Sequence, residues 1–241
     1  MLDHDSNDAL QRPAGAAPPM SRAERAALHR VVNGRRDVRR GFLPDPVPRE
    51  LLRRILDAAH AAPSVGFMQP WRFVLLGRGA ARDALIDSFR RANEAAREAY
   101  GASDRRDEYG KLKLSALEDA PHVIVVACDH RTGRGHGLGR RTWPEAARDS
   151  TVAAVQNLML AARAEGIGTG WVSILDKDDV RRAAELPDEV EPIAVLCVGF
   201  VERFEAQPDL ERAGWESRAP LEDLVHVDLF GGPSPFPSED A

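Results

Sequence analysis

Cysteine is scarce in this chain, which has only two among its 241 residues. Cys128 and Cys197 lie in apolar segments far apart in the sequence, which is typical of buried thiols in a reducing compartment rather than of a disulfide framework. No apolar run approaches the roughly 18 residues of a membrane span, and the acidic N-terminus lacks the positive charge of a signal peptide. We therefore expect a cytoplasmic protein that has no membrane partner.

Motifs for metal binding and for hydrolysis are also missing. The seven histidines never pair with cysteine or acidic residues at metal-ligand spacing, so no metal is predicted. The sequence contains no P-loop and no G-x-S-x-G elbow. A net charge of −5 gives no general attraction to nucleic acid, so any anion-binding function must come from a local basic cluster.

The two ends of the chain differ in composition from its middle. Residues 1–20 and 232–241 are rich in proline and polar groups, which predicts disordered tails. Between the tails, helical and extended apolar periods alternate. Helices are predicted over 49–62, around 85–92, over 151–166 and after Asp176, and strands over 72–77, 122–129, 170–175 and 192–201. This alternation predicts one α/β domain over 21–231, with helices layered on a central sheet.

For three segments, the sequence also predicts a location in the fold or a boundary. Residues 122–129 form a continuous apolar run, as expected for a strand covered on both faces at the sheet centre. Ser150 or Asp149 is predicted to cap the helix over 151–166, and Gly166 to end it. The polar, irregular segment after residue 201 favours an arm that crosses a partner surface, and hence a dimer.

The basic cluster is GRRDVRRGF, in which Arg35, Arg36, Arg39 and Arg40 surround Asp37. Guanidinium groups bind phosphate oxygens in bidentate geometry and stay charged, so arginines on one short turn would form a phosphate clamp. On spacing alone, a solvated run of charges is the more frequent explanation. The aspartate is the unusual member, because basic neighbours favour the ionised carboxylate that can accept a proton.

Two further segments are candidates for ligand contact. Residues 61–73 form an irregular connection whose backbone groups and flat apolar surface suit a ring system; the alternative is a connector that buries Trp71 and Phe67. Residues 166–174 contain three glycines that would let the backbone approach a ligand closely, followed by Ser173 in an apolar run. The alternative role for that hydroxyl is a bond to nearby backbone. A dinucleotide fingerprint is rejected, because a helix ends and a strand begins here.

Taken in order, the motifs resemble those of the nitroreductase-like flavoproteins over about residues 30–230. The matching segments are RRDVR (35–39), APSVGFMQPWRF (62–73), LGRRTWPE (138–145), AVQNLMLAARAEGIGTGWVSIL (154–175) and GWESRAPL (214–221). Ordinary members of the family have serine where this chain has Asp37, and a flavin-contacting asparagine where it has Val-Gly-Phe-Met. Both departures favour the branch of the family that makes 5,6-dimethylbenzimidazole.

The resemblance implies an α/β (α+β) nitroreductase-like fold with a central mixed sheet flanked by helices. It also implies a domain-swapped homodimer with FMN at the interface. By position, the residues at the phosphate and ribityl chain are Arg35, Arg36, Asp37, Arg39 and Arg218. Those at the flavin ring are Pro63, Ser64, Gly66, Gly170, Trp171 and Ser173. Tyr109 and Leu112 would belong to a lid over residues 93–113.

In that branch, reduced FMN is the substrate and O2 the co-substrate, and the products are 5,6-dimethylbenzimidazole and erythrose 4-phosphate. The chemistry requires a grip on the phosphate, a dry pocket and a base at the ribityl C1′. We expect Asp37 to be the base and Ser173 to hydrogen-bond the flavin or its peroxide, while a separate flavin reductase supplies reduced FMN. The alternatives are an NAD(P)H-dependent nitroreductase or flavin reductase, and a non-catalytic FMN-binding protein.

Overall fold

The computed structural model describes residues 15–236. Most of the two predicted tails, residues 1–14 and 237–241, therefore lies outside the described residues. The helices are α1 (Arg22–Gly34), α2 (Arg49–His60), α3 (Ala80–Glu98), α4 (Asp104–Gly110), α5 (Ala146–Ala164), α6 (Lys177–Ala183) and α7 (Asp209–Arg212). The strands are β1 (Trp71–Leu76), β2 (His122–Asp129), β3 (Ile167–Val172) and β4 (Val190–Phe200). Short 3-10 turns cover Val65–Phe67, Arg134–Gly137 and Leu221–Leu224.

The four strands form one sheet in the order β1-β2-β4-β3, and every neighbouring pair is antiparallel. The central position predicted for residues 122–129 is confirmed, because β2 pairs on both edges and is buried along almost its whole length. The predicted mixed sheet needs a correction. In the described part of the chain, the parallel component is one isolated bridge, between Asp37 and Thr169.

Helices cover both faces of the sheet, which explains why the central strands are apolar throughout. On one face, Ile124 and Val126 of β2 pack with buried residues of α2 and α5. On the other face, Val123 and Val125 pack with Leu85 of α3 and with α6. Alternate residues of one strand thus enter two different cores, as the period of two in a β-strand requires. The result is the layered α/β architecture that the alternating pattern predicts.

The ends of two elements differ from the predictions. Helix α5 starts at Ala146, so the prediction that Ser150 or Asp149 caps it is wrong. Ser150 instead lies inside the helix, where its hydroxyl donates to the Ala146 carbonyl and accepts from the Val65 N–H, 3.0 Å away. Gly166 follows the helix with φ +74°, which confirms the predicted end.

The strand predicted over 170–175 in fact begins at Ile167 and ends at Val172, so Ser173 lies beyond it. Asp176 caps α6 as predicted, since its carboxylate accepts from the N–H groups of Asp178 and Asp179. Both cysteines are buried free thiols. Within residues 15–236, no helix is long and apolar enough to cross a bilayer.

Candidate active site

Asp37 is positioned by the strand beside it. The N–H of Val38 donates to the Thr169 carbonyl over 2.8 Å, which ties residues 37–38 to β3. The contact requires glycine at position 170, because a Cβ there would lie 2.1 Å from the Val38 carbonyl oxygen. The glycine run was expected to admit a ligand. Gly168 and Gly170 instead make room for protein, since a Cβ on Gly168 would lie 2.3 Å from Val201.

The Asp37 carboxylate is held on both of its oxygens. Oδ1 accepts from the Trp171 N–H at 2.6 Å, and Oδ2 accepts from the Arg39 guanidinium at 2.6 Å. The Asp37 side chain is nevertheless 30% exposed. Since a carboxylate has about four acceptor positions and only two are used here, Asp37 is fixed in place and can still accept a proton.

Asp37 and Ser173 line one cleft of about 450 Å³, which we call the Asp37 cleft. Arg39 and Trp171 share this cleft, and its remaining wall is largely apolar: Val172, Leu175, Val180, Pro192, Ile193, Ala194 and Val195. Ser173 is exposed, although its neighbours in the sequence are apolar. Within residues 15–236 the Ser173 hydroxyl has no hydrogen-bond partner, and it is therefore available to a ligand.

Two cations at the rim of the Asp37 cleft were not singled out in the sequence. Arg148 and Lys177 line the cleft and both contact Glu191, with N···O distances of 3.6 and 3.1 Å. Burial opposes ionisation of Glu191, but hydrogen bonds from Lys177 and His130 outweigh it and lower the pKa of Glu191. The sequence could not reveal this group, because its members come from four separate elements.

The arginines predicted to bind the phosphate differ in whether their side chains already have hydrogen-bond partners. Within residues 15–236, Arg35 and Arg218 have no side-chain hydrogen bond or ion pair. Arg36 donates to the carbonyls of Asn33 and Arg35, each 2.7 Å away, and to the carbonyl of Ala206. Arg35 and Arg218 therefore have free donors for an anion, whereas the terminal nitrogens of Arg36 bind carbonyls and its buried Nε has no partner among the described residues.

These guanidinium groups form a concentration of positive charge. Burial and then the charges of Arg35, Arg163 and Arg218 lower the pKa of Arg36. We call these four residues the arginine cluster. Like charges held together repel one another, so the cluster favours an anion with several negative charges, such as a phosphate monoester.

The loop predicted to line the flavin ring is separate from the Asp37 cleft. Pro63, Ser64 and Gly66 line neither the Asp37 cleft nor a second cleft that Asp37 shares with Arg36 and Glu202. Their loop interlocks with the turn after β2, because Gly66 (φ +56°) and Gly135 (φ +75°) approach so closely that a Cβ on Gly135 would lie 2.7 Å from the Gly66 carbonyl. Within one chain, therefore, the loop with Pro63, Ser64 and Gly66 does not line the cleft that contains Asp37 and Ser173.

The same pair of loops carries large exposed apolar side chains. Phe67, Leu138 and Trp143 are 69%, 73% and 65% exposed. The alternative in which the connector buries both of its aromatic residues holds for Trp71, whose indole N–H donates to His60 at 3.1 Å, but not for Phe67. Exposed apolar groups concentrated on one loop pair are typical of a surface that another molecule covers.

The predicted lid is packed against the C-terminal segment. The Tyr109 hydroxyl donates to Asn93 over 2.8 Å, and burial raises the pKa of Tyr109. Its ring lies 6.1 Å from that of Trp215, over which the guanidinium of Arg105 stacks at 4.6 Å. Leu112 lines a small basic cleft that also includes Arg39. The predicted lid thus contacts the segment that carries Arg218, through Trp215.

A family model described as the nitroreductase family matches residues 32–200. The chain belongs to the nitroreductase family. Two similar proteins of known name are the 5,6-dimethylbenzimidazole synthases of Rhodospirillum rubrum and Rhodobacter capsulatus. The first is 47% identical over 196 residues, covering 81% of this nitroreductase-family chain and 92% of the relative. The second is 39% identical over 198 residues, covering 82% and 95%.

Solved structures agree on the fold. A BluB-like flavoprotein from Clostridium difficile 630 has a TM-score of 0.61 at 20% identity, covering 83% of this chain and 98% of its own. Iodotyrosine deiodinase, solved with FMN and 3-iodo-L-tyrosine, has a TM-score of 0.57 at 24% identity, covering 74% and 91%. These likenesses confirm the predicted nitroreductase-like fold.

Proposed function

We propose that this nitroreductase-family protein converts reduced FMN and O2 into 5,6-dimethylbenzimidazole and erythrose 4-phosphate. The observation that carries the proposal is the carboxylate of Asp37, held by Trp171 and Arg39 in one cleft with the free hydroxyl of Ser173. Relatives at 47% and 39% identity, named as synthases of this product, support it.

The chain's basic residues fit the phosphate of FMN. Arg35 and Arg218 have unused guanidinium donors, and the charges of both act on Arg36. A phosphate would neutralise the repulsion within the arginine cluster and accept bidentate hydrogen bonds. Arg39 would contact the ribityl chain while it holds Asp37 in place.

Asp37 and Ser173 would act on the sugar chain and on the ring. When bound, reduced FMN supplies the electrons that reduce O2. The two hydrogen bonds to Asp37 fix the carboxylate, and its free lone pairs would take the proton from the ribityl C1′. Ser173 would donate its hydroxyl proton to the reactive edge of the ring, which Gly170 and Trp171 would also approach. With the flavin bound, the apolar wall of the Asp37 cleft would limit access of water to the ring.

The ring pocket would be completed in a homodimer. Pro63, Ser64 and Gly66 lie on a loop whose neighbours Phe67 and Trp143 are mostly exposed, so this loop would enter the site of a second copy. Tyr109 and Leu112 would cover the flavin from the lid. A separate flavin reductase would supply reduced FMN.

The test is aerobic incubation of the purified protein with chemically reduced FMN and no nicotinamide. We expect irreversible loss of the flavin absorbance and formation of 5,6-dimethylbenzimidazole, measured by chromatography. Steady NADPH oxidation with the flavin retained would identify a reductase instead. FMN binding with neither change would identify a non-catalytic binding protein, and either result overturns the proposal.

A further inference from the structure

Arg163 connects three segments that lie around the arginine cluster. It stands in the last turn of α5, and its Nε donates over 2.9 Å to the carbonyl of Gly34, the last residue of α1. The carbon of its guanidinium lies 4.0 Å from the centroid of the Phe204 ring, at the start of the C-terminal segment. One side chain thus joins the ends of two helices to the arm that carries Arg218.

The same helix end and the same arm are held by Arg36. Arg36 donates to the carbonyl of Asn33, next to the Gly34 carbonyl that Arg163 binds, and to Ala206. Helix α1 has no basic residue in its last turn, so these two arginines supply the positive charge that a helix C-terminus favours. Since Arg35 follows Gly34 directly, Arg163 fixes the place where the phosphate-binding segment begins.

Within the described residues, Arg163 forms no ion pair, although the charge of Glu211 also acts on the cluster, where it raises the pKa of Arg36. Arg163 lies close enough to Arg36 to contribute, after burial and Arg35, to the lowered pKa of Arg36. An anion at the arginine cluster would therefore interact with Arg163 as well as with the residues of the RRDVR motif.

We propose that Arg163 is a positioning residue that determines the preference of this protein for phosphorylated flavin. It fixes Arg35 and Arg36 through the end of α1, and it adds a positive charge to the phosphate end of the site. The inference rests on the proposed function, because it assumes that the arginine cluster holds the phosphate of FMN.

The test compares oxidised FMN with riboflavin, which lacks the phosphate, by titration of flavin fluorescence. Arg163→Met should lower the affinity for FMN about tenfold and change that for riboflavin less than about twofold. Arg54→Met is the matched control, because it also removes one positive charge near the C-terminal end of α5. Arg54 binds Glu165, the residue that follows α5, and its side chain is mostly exposed. The control should leave both affinities unchanged.

Gly34→Ala provides a second variant that keeps every charge. A Cβ at Gly34 would lie 3.2 Å from the Arg163 guanidinium and would shift it by a few tenths of an ångström. Because alanine favours a helix over glycine, the thermal stability should rise or stay level, while the affinity for FMN falls about threefold. If Arg163 served only to stabilise the fold, Gly34→Ala could not lower the affinity for FMN while the thermal stability rose or stayed level. Arg163→Lys, which keeps the charge but cannot form the same stacked fork, should lie between wild type and Arg163→Met.

Each result decides the inference. Equal losses for FMN and riboflavin in Arg163→Met, or no loss for either, would overturn it while leaving the proposed function standing. Wild-type protein that binds neither flavin, or both equally, would remove the phosphate site itself and overturn both proposals.

Discussion

Among single residues, Asp37 combines immobility with free acceptor capacity, which is what a general base requires. In Asp37→Asn, one amide oxygen can still accept the Trp171 N–H, but the side chain can no longer take a proton. We expect FMN affinity within about threefold of wild type and product formation lowered by about 100-fold or more. The measurements are FMN titration and chromatography of 5,6-dimethylbenzimidazole. Asp57→Asn, at an exposed pair with Arg53, serves as the control, and an active Asp37→Asn enzyme would refute the assignment.

A second carboxylate, Asp129, makes a prediction about stability rather than catalysis. Hydrogen bonds from Arg131, together with the nearby charge of Arg72, lower its pKa to about 2 although burial opposes this. A folded-state pKa below the unfolded value of 3.8 stabilises the fold above pH 4, and this contribution is lost as the pH falls toward 2.

Asp129→Asn should therefore lower the free energy of unfolding by about 2 kcal/mol at pH 7 and by about half of that at pH 3. Urea unfolding of both proteins at the two pH values measures the difference. A gap that stays constant between pH 7 and pH 3 would show that ionisation of Asp129 is not its cause.

At the scale of helices and strands, burial decided which elements the sequence could reveal. Helix α2 and strand β2 stand out because their buried residues repeat with a regular period. Helix α1 was missed because it buries none of its residues, although Ser21 and Glu24 form a capping box that signals its start. The first half of β3 was missed because its glycines have low strand propensity and are fixed by contact with residues distant in sequence.

The candidate site residues also differ in whether the sequence alone could reveal them. Asp37 and Ser173 are predicted from the sequence, first as the aspartate of the basic cluster and the hydroxyl of the glycine-rich segment, and then by the resemblance to a family. Arg163 had no such signal, because its contact with Gly34 joins residues in different helices and becomes visible only when those helices pack. Single-chain sequence patterns carry local periodicity and motifs, whereas this contact depends on tertiary structure.

Gly170 links β3 to the position of Asp37. A methyl group in Gly170→Ala would meet the Val38 carbonyl oxygen at 2.1 Å, so residues 37–38 must move away from the strand. We expect a loss of about 1–3 kcal/mol in stability and a sharp fall in product formation, although every polar side chain of the site remains. Gly77→Ala is the control, because a Cβ there meets nothing within 4 Å. Wild-type activity in Gly170→Ala would show that the strand does not position Asp37.

At the scale of the whole molecule, the predicted site residues lie in two separate regions, the Asp37 cleft and the loop with Pro63 and Gly66. This separation leads to a prediction about the dimer. The Asp37 cleft includes no residue of the loop that carries Pro63 and Gly66, and that loop presents Phe67 to solvent. If each flavin lies between the cleft of one copy and the loop of another, then a defect in the cleft and a defect in the loop can complement each other.

Asp37→Asn and Gly66→Val supply the two defects. Valine at position 66 is incompatible with φ +56° and would press on the Gly135 carbonyl, so it should distort the loop and abolish activity by itself. In random co-expression, half of the dimers are mixed, and each mixed dimer has one intact site of two, which predicts about a quarter of wild-type activity. Product formation by the co-expressed pair, compared with each variant alone, measures this. Absence of recovery would mean that cleft and loop serve the flavin from the same chain, and the dimeric site would have to be abandoned.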